Sequence, residues 1–375
     1  MRILIDYRPA LRERSGVGEY IHQLTQGLVR VSAGRDEIAL FSSSLKDRLP
    51  GSPIPGTRAI DSRIPARVLT RLWHQYGWPP IEWLAGQFDL VHSSRPTLVP
   101  SRGAARFVTV HDLDFLDHPE RTQAEFRGDY GALTRRHAQQ ADRVVAISAY
   151  TAGEVEARFE VPASRLVVCR PGRPDWTPRT APPPDPYVLF VGTLELRKNV
   201  GVLLDAYAQL VTAHPDTTPR LILAGRALPE TAAWLERLAR PPLAGRATHL
   251  GYILDAHRES LYRNAAVLVL PSFNEGFGLP VLEAMTVGVP VVASNRGAIP
   301  EVLGDAGLLV DPTRADGIAA AMHQVLTQPQ LAASLSARGI RRSRLFDWTA
   351  AAEALREAYV QTLEERTRRR GAQRQ

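Results

Sequence analysis

Two glutamates and a cationic pair are the residues of this chain best suited to chemistry. Glu275 and Glu283 bracket the stretch NEGFGLPVLEAM, eight positions apart. Between them, Gly276 and Gly278 let the backbone turn tightly and approach a ligand. Pro280 suits the opening turn of a helix, where its missing N–H costs nothing. Such a helix turns free N–H groups and its positive dipole end toward the bend, a setting that favours phosphate. Glu283 is expected in its first turn. A carboxylate there repels phosphate but accepts hydrogen bonds from a vicinal diol. The pattern fits a ligand with hydroxyls at both ends and phosphate between, which describes a nucleotide sugar. In the competing reading Glu283 only complements its helix dipole and Glu275 is solvated.

A second stretch strengthens the first reading. VLFVGTLELRKNVGVLLDAYAQL runs strand, loop, helix, and its loop carries Arg197 and Lys198. Of the 46 basic residues only Lys46 and Lys198 are lysine, so an adjacent Arg-Lys pair at a strand end stands out. A guanidinium fork beside an ammonium point charge suits two phosphates of a departing leaving group, with plain surface solvation as the alternative. In RSGVGEY (14–20), Gly16 and Gly18 would let backbone approach a substrate, and the incomplete GxGxxG match argues against a dinucleotide fingerprint. His111 closes the strand pattern RFVTVHD, a placement for a catalytic or sugar-contacting imidazole as much as for a structural one. Asp112 and Asp114 form a D-x-D, a metal-holding pattern, but no second acidic cluster accompanies them and no metal is expected.

These residues need elements to hold them. The apolar runs RILID (2–6), EIALFSS (37–43), FDLVHSS (88–94), RFVTVHD (106–112), RVVAIS (143–148) and RLVVC (165–169) alternate with helical patterns. A proline-rich break at 171–186 follows. The alternation then resumes with YVLFVG (187–192), RLILAG (220–225), THLGY (248–252), AVLVLPS (266–272), VPVVAS (289–294) and GLLVD (307–311). Fully apolar strands alternating with helices predict parallel sheets covered on both faces. At 375 residues the chain suits two such domains. The expected fold is α/β, two Rossmann-like doubly wound domains facing a cleft where ligands meet the carboxyl ends of the strands. The expected boundaries are a first domain 1–174, a linker 175–186, a second domain 187–344, a helix 345–366 crossing back to the first, and a disordered tail 367–375.

Composition narrows the setting. The single cysteine, Cys169, rules out an internal disulfide framework and fits a reducing compartment. It lies in LVVC, where it reads as a buried small hydrophobe. MRILIDYRP is a strand pattern rather than a signal peptide, and no run of 18 apolar residues exists, so a cytoplasmic protein is expected. The net charge of +7 favours phosphorylated substrates or anionic headgroups. No aromatic-basic module accompanies it, so nucleic acid is not an expected partner. IPARVLTRLWHQYGW (64–78) separates Ile64, Val68, Leu69, Leu72, Trp73 and Tyr76 from Arg67, Arg71 and His74. That stripe suits contact with an anionic membrane or, equally, a helix covering its own domain.

Together these pieces resemble the retaining glycosyltransferase family 4, whose fold is called GT-B. The family's E-x7-E is matched by Glu275 and Glu283. VTVHDLDFLDHPE, VVAISAYTAGEV, GTLELRKN and LAGR follow the family's order along the whole chain. The resemblance implies that Arg197 and Lys198 bind the donor diphosphate, Glu283 the ribose and Glu275 the sugar. Gly192 opens the GTLELRKN loop of the same donor site. Backbone at Gly276, Phe277, Gly278 and Leu279 would touch sugar and phosphate, and His111 the sugar near its reacting carbon. Base selection would fall near Arg226 and the loop Tyr252, Ile253, Leu254. It implies transfer with retention and no required cofactor or metal, the leaving phosphate acting as base. GTLELRKN and HDLDFLDHPE look most like bacterial mannosyltransferases, so GDP-mannose is the expected donor, with a saccharide or lipid-linked saccharide as acceptor. The alternatives are a UDP-sugar donor, a nucleotide-sugar epimerase and a non-catalytic partner. No motif specifies the acceptor, the linkage or the oligomeric state.

Overall fold

The computed structural model describes residues 1–11, 16–49, 51–119 and 129–372. Arg14 and Ser15 of RSGVGEY, and Glu120, the last residue of VTVHDLDFLDHPE, lie outside the described residues. The chain divides into two compact units, Met1–Gly172 with Asp347–Gln375, and Arg173–Phe346.

In the first unit the apolar runs form β1 (Arg2–Asp6), β2 (Glu37–Ser42), β3 (Thr57–Asp61), β4 (Leu90–Ser93), β5 (Ala105–Val110), β6 (Arg143–Ala146) and β7 (Leu166–Val168). They pair in parallel in the order β3-β2-β1-β4-β5-β6-β7. Strand order therefore reverses between β1 and β4, where a doubly wound sheet opens a crevice at its carboxyl ends. The edge strand β3 was not expected from the sequence. TRAID is only partly buried, so it lacks the continuous apolar run that marks a central parallel strand.

The helix Ala66–Tyr76 covers this sheet. Leu69 and Trp73 join Leu4, Phe41, Ile81 and Val91 in one core cluster. Most of the apolar stripe predicted for 64–78 is thus accounted for by packing on its own unit. Val68 and Tyr76 stay exposed. Among the described residues no helix is long and apolar enough to cross a membrane.

The last helix, Trp348–Ala372, also belongs to the first unit and buries Ala351, Ala352, Leu355, Ala358, Tyr359 and Thr362 along one face. Gly27 permits its approach, since a Cβ there would lie 2.9 Å from the Ala352 Cβ. Arg356 pairs with Asp36 at 2.7 Å and Arg366 with Asp142 at 2.9 Å. The tail expected to be disordered from 367 is instead helical to Ala372. The helix is already anchored when it reaches that point, and adding turns to an existing helix costs little. Residues 373–375 lie outside the described set.

The second unit contains β8 (Tyr187–Val191), β9 (Leu221–Ala224), β10 (Ala247–His249), β11 (Ala265–Leu270), β12 (Val291–Ser294) and β13 (Leu308–Val310). All pair in parallel, in the order β10-β9-β8-β11-β12-β13. Its reversal lies between β8 and β11. The proline-rich stretch is irregular, as four prolines without N–H donors require. It is tied to this unit rather than loose: the Arg179 N–H donates to Val287 O at 3.0 Å, and its side chain reaches Arg263 and Ala265 carbonyls.

Candidate active site

The loops leaving β8 and β11 meet at the reversal of the second sheet. The Phe273 N–H donates to Arg197 O at 2.8 Å, joining the two loops. The Asn199 side chain, in a left-handed backbone conformation, donates to the carbonyls of Pro271 and Pro312 at 3.0 and 2.7 Å. This brace aims Arg197 and Lys198 at Glu275. Lys198 Nζ donates to Glu275 Oε1 at 2.6 Å and the Ser272 hydroxyl to the same oxygen at 2.7 Å. Arg197 reaches Oε2 at 3.3 Å, the Asn274 carbonyl at 2.8 Å and Glu195 at 2.7 Å.

The cluster is nearly dry: the side chains of Glu275 and Lys198 are 7% and 11% exposed. Burial opposes a charged carboxyl at Glu275, but Lys198 and Arg197 more than offset it and hold its pKa below the usual range. Glu275 is therefore an anion at neutral pH, and neither a proton donor nor a solvated charge. An ammonium carries three donors, and Lys198 uses one of them on Glu275.

Gly297, which the sequence reading did not single out, backs this carboxylate. A Cβ there would come within 2.8 Å of the Glu275 N and O atoms, and its own φ is +64°. The Ala298 N–H donates to Glu275 O at 2.9 Å. No local motif announces Gly297, because its partner is 22 positions away.

The bend after Glu275 is built as its glycines suggest. Gly278 has φ +100° and a Cβ there would lie 2.5 Å from Ile299 Cδ1. The helix Leu279–Val287 begins with no side-chain cap. Phe277 packs inward against Phe346, ring centroids 5.6 Å apart, so its side chain is core and only its backbone faces the bend.

Glu283 departs from expectation. It is the fifth residue of that helix, past the first turn, and it is buried. Arg258, absent from the sequence reading, binds Glu283 Oε1 and also pairs with Asp255 at 3.1 Å. Arg258 further lies over the Trp176 ring, 5.9 Å from its centroid. Burial, then the neighbouring Glu283 charge, push the Tyr262 phenol well above its ordinary pKa. Glu283 is thus buried and paired with Arg258. Its partner came from a helix 25 positions upstream that no motif marks.

Gly192 and Gly225 close the β8 and β9 ends together: a Cβ on Gly225 would fall 2.0 Å from Gly192 O. Arg226 follows β9 on the surface. Tyr252, Ile253 and Leu254 follow β10, Leu254 being the residue before the helix Asp255–Arg263. The Gly225 N–H donates to Gly251 O at 2.7 Å and links these two loops.

Gly16, Gly18 and His111 belong to the first unit. Gly16 precedes the helix Val17–Ser32 with φ +47°. Gly18 has a packing reason, since a Cβ would meet Pro9 O at 2.8 Å. His111 Nε2 lies 3.0 Å from Ser94 O. A carbonyl only accepts, so Nε2 carries the proton and Nδ1 keeps its lone pair. Its pKa is lowered by burial, with the Ser94 carbonyl and Asp112 acting the other way. Asp112 accepts from the Asp114 N–H at 3.2 Å, and Asp114 is buried in a short helix. Among the described residues no group of three or more His, Cys, Asp or Glu is placed to hold a metal ion. Burial pushes the Cys169 thiol up to about 12, which leaves it inert.

Residues 14–174 match the profile described as Glycosyltransferase Family 4, and residues 185–328 the one described as Glycosyl transferases group 1. The chain is 30% identical over 374 residues to the O-antigen chain mannosyltransferase B of Escherichia coli, covering 93% of this chain and 96% of that one. The chain belongs to glycosyltransferase family 4. Among solved structures, this glycosyltransferase resembles sucrose-phosphate synthase from Thermosynechococcus elongatus. That match has a TM-score of 0.77 at 22% identity and covers 97% and 99% of the two chains. It also resembles the Anabaena protein HepE in complex with UDP-glucose, with a TM-score of 0.69, 19% identity and coverage of 96% and 100%. Its two parallel-sheet units are those of the GT-B fold.

Proposed function

We propose that this glycosyltransferase moves a hexose, mannose from GDP-mannose first, onto a saccharide or lipid-linked saccharide, with retention and without a metal. The carrying observation is the buried Glu275–Lys198–Arg197 cluster at the β8/β11 reversal. The whole-length likeness to an O-antigen mannosyltransferase supports mannose as the sugar.

In this reading Lys198 offers its remaining donors to the diphosphate, while Arg197 and the uncapped helix start at Leu279 face the same charge. Fixed donors of this kind require no reorganisation as negative charge develops on the leaving group. Glu275, held as an anion, accepts hydrogen bonds from sugar hydroxyls and supplies no proton. The departing phosphate then takes the proton of the attacking acceptor hydroxyl. Glu283, held in place by Arg258, receives the ribose hydroxyls. His111, neutral with Nδ1 as acceptor, takes a hydrogen bond from a sugar hydroxyl.

The test is slow donor hydrolysis without acceptor, in EDTA, comparing GDP-mannose with UDP-glucose. Faster release of mannose from GDP-mannose is expected. Preferred hydrolysis of UDP-glucose would replace the donor assignment. Donor consumed only after divalent metal is added would overturn metal independence.

A further inference from the structure

The first unit has its own reversal, between β1 and β4, and the residues leaving those strands are basic. Asp6 ends β1, and Arg8 follows it. Its Nε and one terminal nitrogen donate to the two Asp6 oxygens, each at 2.7 Å. Its other terminal nitrogen donates to Thr70 at 3.3 Å, and the guanidinium lies 4.7 Å from the centre of the Trp73 ring. Three of its five N–H groups are thereby used and the fork is fixed in orientation. Arg95 follows β4 by two residues, is exposed, and has no hydrogen bond or ion pair among the described residues.

Arg8, Thr70, Trp73, His74, Arg95 and Thr97 line one small recess that opens to solvent, with Leu98 and Tyr130 completing its wall. The two guanidiniums both act on Asp6, whose pKa is lowered by them against the effect of burial. His74 feels the same excess charge: burial first, then Arg8 and Arg95, bring it down to about 4. Such a recess repels cations and has hydroxyls and N–H donors on several sides. Neither arginine takes part in the donor chemistry derived above.

We propose that this recess binds a phosphate group carried by the acceptor. A phosphate monoester offers three oxygens and close to two charges, which matches two forks and flanking hydroxyls better than a carboxylate does. Assigning the phosphate to the acceptor rests on the transferase reading; the anion site itself does not.

The experiment is calorimetric titration of the full chain with glycerol 3-phosphate, glycerate and glycerol. The wild type, Arg95→Gln and Lys198→Ala are compared, with GDP and UDP titrated into the same samples. Arg95 is exposed, so its variant is expected to fold. Glycerol 3-phosphate should bind the wild type, glycerate more weakly and glycerol not at all. Arg95→Gln should weaken the phosphate ester about ten-fold or more, and Lys198→Ala should leave it unchanged. Phosphate binding lost in Lys198→Ala but kept in Arg95→Gln would overturn the proposal while sparing the transferase reading. Equal binding of glycerate and glycerol 3-phosphate would overturn the choice of phosphate. Arg95-dependent phosphate binding in a folded protein that takes no nucleotide would keep the site and defeat the transferase reading instead.

Discussion

Glu275 is tied to Lys198, Arg197 and Ser272 in one buried cluster, so changing it acts on stability as well as on chemistry. Removing one member of a buried ion pair leaves the other charge uncompensated and costs about 3–5 kcal/mol. Glu275→Ala and Lys198→Ala therefore mix two effects. Glu275→Gln keeps an oxygen for Lys198 and Ser272 while removing the charge. We expect it to remain folded and to lower the rate of donor turnover by about a hundredfold or more, the scale seen when one fixed electrostatic contact is lost. Parallel urea melts and initial rates measure both. A near-normal rate in a folded Glu275→Gln would remove Glu275 from the site. The positions of Glu275, Arg197 and Lys198 were legible because their loops follow apolar strands and carry residue types that are rare or conspicuous in this chain. Their mutual pairing was not legible. It depends on a contact across 77 positions that sequence spacing does not encode. Arg258 and Gly297 were missed for the same reason.

At the scale of elements, parallel strands declare themselves as short apolar runs, and nearly all of those in both sheets could be read directly. β3 escaped because it is a half-buried edge strand containing Arg58, for which alternation and burial signals are weak. The helix after Glu275 was also legible, from Gly278 and Pro280, but its first residue is Leu279, which carries Glu283 beyond the first turn. Gly278 is the hinge of that placement. Its φ of +100° is strained for any other residue, and Ile299 occupies the space of a Cβ. Gly278→Ala should lower stability by about 2 kcal/mol or more and weaken nucleotide binding with it, as measured by chemical denaturation and titration. An unperturbed Gly278→Ala protein would show that the bend is not fixed by that glycine.

At the scale of the molecule, the first unit buries neutral histidines that couple its stability to pH. His92 sits between Thr109, at 2.7 Å, and the Tyr359 hydroxyl of the last helix. Burial, then His111, lower its pKa to about 3, and burial first also brings His74 and His137 to about 4. A depressed histidine stays neutral when folded while the unfolded chain takes up the proton near 6.5. Its stabilising effect is complete above that pH and is lost as pH falls from 6.5 toward the folded value. The Tm should therefore fall steadily between pH 6.5 and 4. His92→Gln, which keeps a donor and an acceptor, should flatten that slope; an unchanged slope would exclude His92 as a source. No sequence rule foresaw this, since His92 reads as one more residue of an apolar strand.

Calorimetric titration of the wild type and Lys198→Ala with GDP, UDP and ADP in EDTA decides whether the β8/β11 loops hold the donor diphosphate. Metal-free GDP binding is expected, weakened about ten-fold or more in Lys198→Ala samples whose urea melt shows them folded, one charge-assisted contact to phosphate being lost. Nucleotide binding that is absent from the folded wild type, or equally tight in Lys198→Ala, would contradict the placement of the donor diphosphate at the β8/β11 loops.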